Sequence, residues 1–141
     1  MVRGMTIQRL STQEAIERVT GDPSLVHIDV RAEQEFAAGH APAAYNVPLM
    51  HMGPGGMTPN PDFAAEVARA FPDKDTPILL SCKAGGRSAR AAAVLAGLGY
   101  TRLADQVGGW GGGNGDVGWA AGGGPTSTET APGRSYAELK A

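Results

Sequence analysis

The 141-residue sequence predicts an α/β domain built on a mainly parallel sheet. Three observations carry that reading. Short β-rich runs alternate with helical patterns along the chain. One of these runs, Ile78-Leu79-Leu80-Ser81, is apolar up to its end, as expected of a strand covered on both faces. Two groups of chemically capable residues, Asp29-Val30-Arg31 and Cys82 to Arg87, both fall where a predicted strand ends, and parallel sheets place their sites there.

The elements follow in order. Residues 5–10 start with a short strand. Ser11-Thr12-Gln13-Glu14 is a capping box, and Ala15, Ile16 and Val19 continue it as a helix with an apolar stripe. Gly21-Asp22-Pro23 is a turn. Residues 25–30 read as a strand rich in β-branched residues. Residues 32–39 form a short helix that Gly39 ends. A brief strand at 45–50 is cut by Pro48, and residues 51–61 are a loop on composition. Residues 62–71 form a helix with Asp62 as its N-cap. The strand at 78–81 leads to an alanine-rich helix over 88–99, whose small side chains suit close packing on a sheet. A last short strand covers 100–104. Ten of the 21 glycines lie in 108–124, which is predicted to be a loop with a turn near Trp119. The domain thus spans 5–124, and 125–141 reads as a polar tail whose Ser135–Ala141 end forms a helix if docked.

Composition restricts the function classes. Hydrophobic residues make up 42% and charged residues 18%, and the net charge is −2. That balance offers no global attraction to nucleic acid or an anionic membrane, so any positive site is local. One cysteine excludes an intrachain disulfide. No apolar run approaches the roughly 20 residues of a membrane-spanning helix, and no apolar leader segment is visible at the start. A cytoplasmic, reducing location is expected.

The chemistry concentrates at Cys82. It sits between a buried strand and a helix, and Lys83, Ala84, Gly85, Gly86 and Arg87 intervene before Ser88. Inward-facing N–H groups of such a loop form an anion-binding nest. The helix start adds partial positive charge, and Lys83, Arg87 and Arg90 add full charges. Together these favour thiolate, the nucleophilic form, over thiol. The alternative is a buried cysteine acting as a small hydrophobe. The loop lacks the spacing and the Gly-Lys-Ser/Thr ending of a nucleotide-binding loop.

These residues resemble a known family. Residues 82–100 are similar to the active-site loop and following helix of rhodanese-type sulfurtransferases. Residues 28–48 resemble the family's Asp-Val-Arg, Glu-Phe and Gly-His signature, and Val107-Gly108-Gly109-Trp110 its late Gly-Gly-Trp element. The likeness runs from about residue 8 to about 124. It is strongest to small single-domain thiosulfate sulfurtransferases. It implies a central, mainly parallel five-stranded sheet flanked by helices, with no cofactor and no metal. It implies that Cys82 takes sulfane sulfur from thiosulfate or another persulfide donor, forms a persulfide and passes the sulfur to cyanide, a thiol or an acceptor protein. Lys83 to Ser88 would bind the substrate. The protein would act as a monomer or homodimer, away from nucleic acid and membranes. The related phosphatases and arsenate reductases carry Cys-x5-Arg, whereas this chain has the shorter Cys-x4-Arg. A phosphatase, an arsenate reductase or a non-catalytic binding module of this fold are the alternatives. The chain departs from the family pattern at Ala41 and Ala44. It also inserts Gly111-Gly112-Gly113-Asn114-Gly115-Asp116-Val117 before its second tryptophan.

Other residues have plainer readings. Asp29, Arg31 and Glu35 are expected to support the site. Asp29 and Arg31 would form a structural ion pair more readily than they would hold substrate, and Glu35 is a candidate partner of Arg87. His40 reads as a hydrogen-bonded turn residue and His27 as core. His51 with Met50, Met52 and Met57 matches no metal-ligand spacing. Trp110 and Trp119 are packing anchors, with Trp110 able to reach the pocket mouth.

Overall fold

The structure is a computed structural model that describes residues 7–141. Five parallel strands form one sheet in the order β1-β7-β6-β2-β3. They are β1 (Ile7–Leu10), β2 (Val26–Asp29), β3 (Tyr45–Asn46), β6 (Ile78–Ser81) and β7 (Leu103–Gln106). A separate antiparallel hairpin pairs β4 (Met50–Gly53) with β5 (Gly56–Pro59). The helices are α1 (Thr12–Gly21), α2 (Glu33–Ala38), α3 (Phe63–Ala70), α4 (Gly86–Gly97) and α5 (Tyr136–Lys140). Met5 and Thr6, placed in the first predicted strand, lie outside the described residues.

The sheet has a core on each face. On one, Ile28, Val30, Ile78, Leu80 and Leu103 meet Phe63 and Val67 of α3, Ala91, Ala92 and Leu95 of α4, and Tyr136 of α5. On the other, Leu10, Leu79 and Ala104 meet Ala15 of α1, Phe36 of α2 and Trp119. Central β6 therefore buries side chains both ways, which explains its unbroken apolar run. Burying Ile78, Leu79 and Leu80 contributes about 1.5–3 kcal/mol each. Ala91 and Ala92 leave no bulk between α4 and the sheet, so the helix start is held beside the end of β6.

Local chemistry sets the element boundaries. Ser11 Oγ accepts the Glu14 N–H at 3.1 Å and Glu14 returns the bond to Ser11 N–H at 2.9 Å, the reciprocal cap expected of α1. Asp62 occupies the N-cap position of α3, yet its side chain caps nothing. Asn60 Oδ1 accepts the Asp62 N–H instead, at 3.0 Å. The expected helix over 88–99 begins two residues earlier, at Gly86, because Gly85 adopts φ 98° and turns the chain into the helix sooner. The final strand runs over 103–106 rather than 100–104. Tyr100 is drawn into the core, where its hydroxyl donates to Phe71 O at 2.6 Å.

Two stretches differ from expectation more strongly. Residues 51–61, expected as a loop, contain most of the β4–β5 hairpin. Pro54 and Gly55 form the two-residue turn between Gly53 and Gly56, so residues that break regular structure here reverse it. The stretch 125–141, expected as a polar tail, is docked. Ser127 and His40 exchange backbone bonds of 2.9 and 2.8 Å. Buried Tyr136 accepts from Asn60 Nδ2 at 3.2 Å, and Arg69 donates to Leu139 O at 2.7 Å. One buried aromatic ring anchors a segment that is otherwise polar, and the helix over its end forms as α5.

Candidate active site

Cys82 directly follows β6, at the carboxyl end of the central strand, and is 1% exposed. Its Sγ accepts the Gly85 N–H at 3.0 Å. Its S–H donates to Ser88 Oγ at 3.4 Å, and that hydroxyl donates to Gly85 O at 3.2 Å. Gly85 is required here: a Cβ would lie closer than 3.0 Å to Val107 O and Asn114 Nδ2. Gly86, Arg87 and Ser88 form the first turn of α4, so the thiol sits at the positive end of a twelve-residue helix.

The cations divide in a way the sequence does not show. Arg87 is anchored to α2 by two bonds to Glu35, of 2.6 and 3.0 Å. Burial pushes the Glu35 carboxyl up, but the Arg87 hydrogen bonds, the Ala32 N–H and the Arg87 and Arg31 charges outweigh it and hold it below its usual value. Arg87 is raised in turn, first by its bonds to Glu35 and then, against burial, by the charges of Glu35, Cys82 and Asp29. Arg87 thus braces the loop while its charge is largely matched. Arg90 turns away to Met50 Sδ, at 3.3 Å. Lys83 is exposed at the loop rim, its stem beside Gly111, and has no ion-pair partner among the described residues.

Asp29 and Arg31 form a buried pair, closest at 2.7 Å, with both residues below 5% exposed. Arg31 also donates to Gly39 O at 2.7 Å and lies 4.8 Å over the Trp110 ring. It therefore fixes the chain around the site, and its side-chain hydrogen bonds among the described residues go to Asp29 and Gly39 rather than to the loop that bears the thiol. Asn46 ties Asp29 O and Arg31 O together, at 3.1 and 2.9 Å. His40 is fully buried, bonded to Ala41 O at 3.0 Å and stacked on Phe36, as a turn residue. His27 is core. It bonds Ser81 Oγ at 2.8 Å, and burial, helped by the Arg31 charge and opposed by Asp29, lowers it to about 4. His51 and the three methionines lie on or beside the hairpin, and no cluster of metal-ligating side chains occurs among the described residues. Trp119 is buried and donates to Pro125 O at 2.7 Å.

What sequence reasoning missed is that the Gly-Gly-Trp element and the glycine-rich insertion after it together back the Cys82 loop. Trp110 N–H donates to Cys82 O at 2.7 Å and Gly111 N–H to Lys83 O at 2.9 Å. A Cβ at Gly109 or Gly113 would strike the backbone of Lys83 or Ala84. Gln106 steadies the stretch from below by donating to Gly109 O at 2.9 Å. The density of glycines was the available signal, since glycine suits close backbone approach as well as loops. A surface groove of about 530 Å3 lies at the opposite end of the strands. It is lined by residues such as Arg18, Asp22 and Arg102 and holds no nucleophile.

Comparison with known proteins agrees with this geometry. Thiosulfate sulfurtransferase 16, chloroplastic, of Arabidopsis thaliana is 42% identical over 100 residues, covering 71% of this chain and 78% of that protein. Protein HIGH ARSENIC CONTENT 1, mitochondrial, from the same plant is 39% identical over 84 residues, covering 60% of this chain and 49% of that one. The chain therefore spans about half the length of the latter. Among solved structures, M. tuberculosis Rv0390 superposes with a TM-score of 0.70 at 27% identity, covering 86% of this chain and 98% of that one. The rhodanese-like domain of Anabaena Alr3790 shares the fold, with a TM-score of 0.68 at 20% identity over 86% and 80% of the two chains. No helix among the described residues is long and apolar enough to cross a membrane. Residues 11–115 match the sequence profile of the rhodanese-like domain, and with the Cys82 loop at the end of its central parallel strand, the chain belongs to the rhodanese-like domain family.

Proposed function

We propose that this protein is a sulfurtransferase that carries sulfane sulfur as a persulfide on Cys82. The observation that carries the proposal is the Gly85 N–H aimed at Cys82 Sγ at 3.0 Å, within a loop that opens a helix and holds an exposed Lys83 at its rim. The N–H bond to sulfur and the helix start put partial positive charge beside Sγ, a setting in which cysteines serve as nucleophiles. Ser88 suits both states: its hydroxyl accepts from the thiol and, by rotating, donates to the thiolate. No separate base is then needed to activate the nucleophile.

The reaction balances without an oxidant or reductant. The Cys82 thiolate attacks the outer sulfur of thiosulfate, the S–S bond of thiosulfate breaks, and sulfite leaves with the bonding pair. The persulfide anion stays in the loop. An acceptor then attacks its terminal sulfur: cyanide gives thiocyanate, and a thiolate gives a new persulfide, with Cys82 thiolate restored. Lys83 is placed to meet the dianionic donor, because a flexible ammonium can follow an incoming charge. Lys83→Ala should accordingly weaken thiosulfate turnover more than the use of small neutral donors. A reducing setting, where a lone cysteine stays a thiol, is part of the proposal.

The test is mass spectrometry of the intact protein after thiosulfate treatment. One added sulfur on Cys82, thiocyanate formation with cyanide, and the loss of both in Cys82→Ser are expected. Unmodified protein and no thiocyanate would overturn the proposal. The arsenic in one relative's name makes arsenate reduction at the expense of a small thiol the parallel assay. Turnover there without persulfide formation would move the assignment to arsenate.

A further inference from the structure

The stretch 107–117, the Gly-Gly-Trp element with the insertion after it, has no part in the reaction just described, yet it backs three successive peptides of the loop. Three successive loop carbonyls point into it. Cys82 O accepts from Trp110 N–H, Lys83 O from Gly111 N–H, and Ala84 O from Asn114 Nδ2 at 3.4 Å. In a trans peptide the carbonyl and the N–H that follows it point in opposite directions. Engaging these carbonyls on one side therefore turns the N–H groups of Lys83, Ala84 and Gly85 toward the other. The last of them is the N–H that meets Cys82 Sγ.

Asn114 stands out within the insertion. It is the only non-glycine residue with positive φ, 53°, among the described residues, and left-handed backbone is unfavourable for most side chains. Glycine would adopt that backbone more easily but would bring no amide. The Asn114 amide uses both its hydrogens on the loop's surroundings: one donates to Val107 O at 2.8 Å, the other to Ala84 O. It also lies so close over Gly85 that a Cβ there would collide with Nδ2. The amide thus holds one peptide unit, Ala84–Gly85, from its carbonyl end and from its Cα.

We infer that Asn114 is a positioning residue for Cys82, holding the Ala84–Gly85 peptide so that its N–H faces the sulfur. This rests on Cys82 being the reactive thiol proposed above. Asn114 touches neither sulfur nor substrate and acts through that peptide alone.

The test is the pH profile of Cys82 alkylation by iodoacetamide in Asn114→Gly, which keeps the backbone conformation and deletes the amide. Alkylation at neutral pH should slow about tenfold and its profile should move up by about one pH unit, the effect of weakening one hydrogen bond to a thiolate. Thiosulfate kcat/KM should fall by a similar factor. Urea unfolding of Asn114→Gly, expected to keep the wild-type midpoint, separates loss of the amide from loosening of the insertion. A profile superimposable on that of the wild-type protein overturns the inference. Alkylation needs no sulfur donor, so the two readings fail separately. A shifted profile in a protein that never forms a persulfide defeats only the sulfurtransferase proposal. Persulfide formation with an unshifted profile defeats only this one.

Discussion

Two glycine-bearing stretches look alike in the sequence and do opposite things in the fold. In the hairpin, Gly53 and Gly55 face open space and serve a turn at the surface. In the Gly-Gly-Trp element and the insertion after it, Gly109 and Gly113 press on the backbone of Lys83 and Ala84, with no room for even a methyl group. The first stretch uses glycine for its conformational freedom, the second for its missing side chain. Composition cannot separate these uses, because the same residue satisfies both. What distinguishes them is what lies opposite, which here is the loop that carries Cys82.

The contrast breaks most sharply at Gly109. Its φ is 66°, and a Cβ would overlap Lys83 O. Gly109→Ala should lower stability by about 3 kcal/mol, read from urea unfolding, since it combines overpacking with a disfavoured backbone. Sulfur transfer should fall about a hundredfold as the loop is displaced. Wild-type activity in a folded Gly109→Ala protein would show that the close approach of Gly109 to Lys83 does not set the loop's shape.

A second test separates the fold from the loop by pH. In the unfolded chain His27 takes up a proton as the pH falls through 6.5, whereas in the fold it stays neutral down to about 4. The unfolded state binds more protons in that window, so stability is lost as the pH falls from about 6.5 to about 4, by up to about 3 kcal/mol. His27→Gln should flatten the dependence of the urea midpoint on pH. An equally steep curve in the variant would place the pH sensitivity elsewhere.

A smaller effect is expected on the other side of the loop. Arg87→Ala leaves Glu35 without its partner and frees α4 from α2. The pair is partly exposed, so the loss should be about 1–2 kcal/mol, with weaker thiosulfate use in steady-state assays. Unchanged kinetics would show that the insertion alone braces the loop. The smallest effect should come from Gly55→Ala, within about 0.5 kcal/mol in thermal unfolding and without effect on sulfur transfer. A large loss there would show that the hairpin turn is as constrained as the insertion.

Most of the fold is legible from local pattern. The apolar run at 78–81 returns as β6, the Ser11–Glu14 box caps α1, and the alanine helix lies flat on the sheet as α4. The Cys82 loop is legible as well, because a cysteine followed by two glycines between a strand and a helix is a local feature. Errors arise where one residue has two uses. Proline and glycine at 54–55 read as loop but make a hairpin turn, and a polar segment at 125–141 reads as a tail until Tyr136 finds a pocket.

The sequence by itself determined the order along the chain of the five parallel strands and of α1 to α4, the place of Cys82 at the end of β6 and the length of its loop. Each of these depends on neighbours within a few residues. Only the tertiary structure decided which charges remain free at the site and what holds the loop in shape. Arg87 is matched by Glu35, 52 positions away in the chain, and the Ala84 carbonyl is held by Asn114, 30 positions away. Such partners meet only when the sheet brings the ends of β2, β6 and β7 side by side. A hydrogen bond requires contact in space, and sequence spacing over those distances carries no record of it.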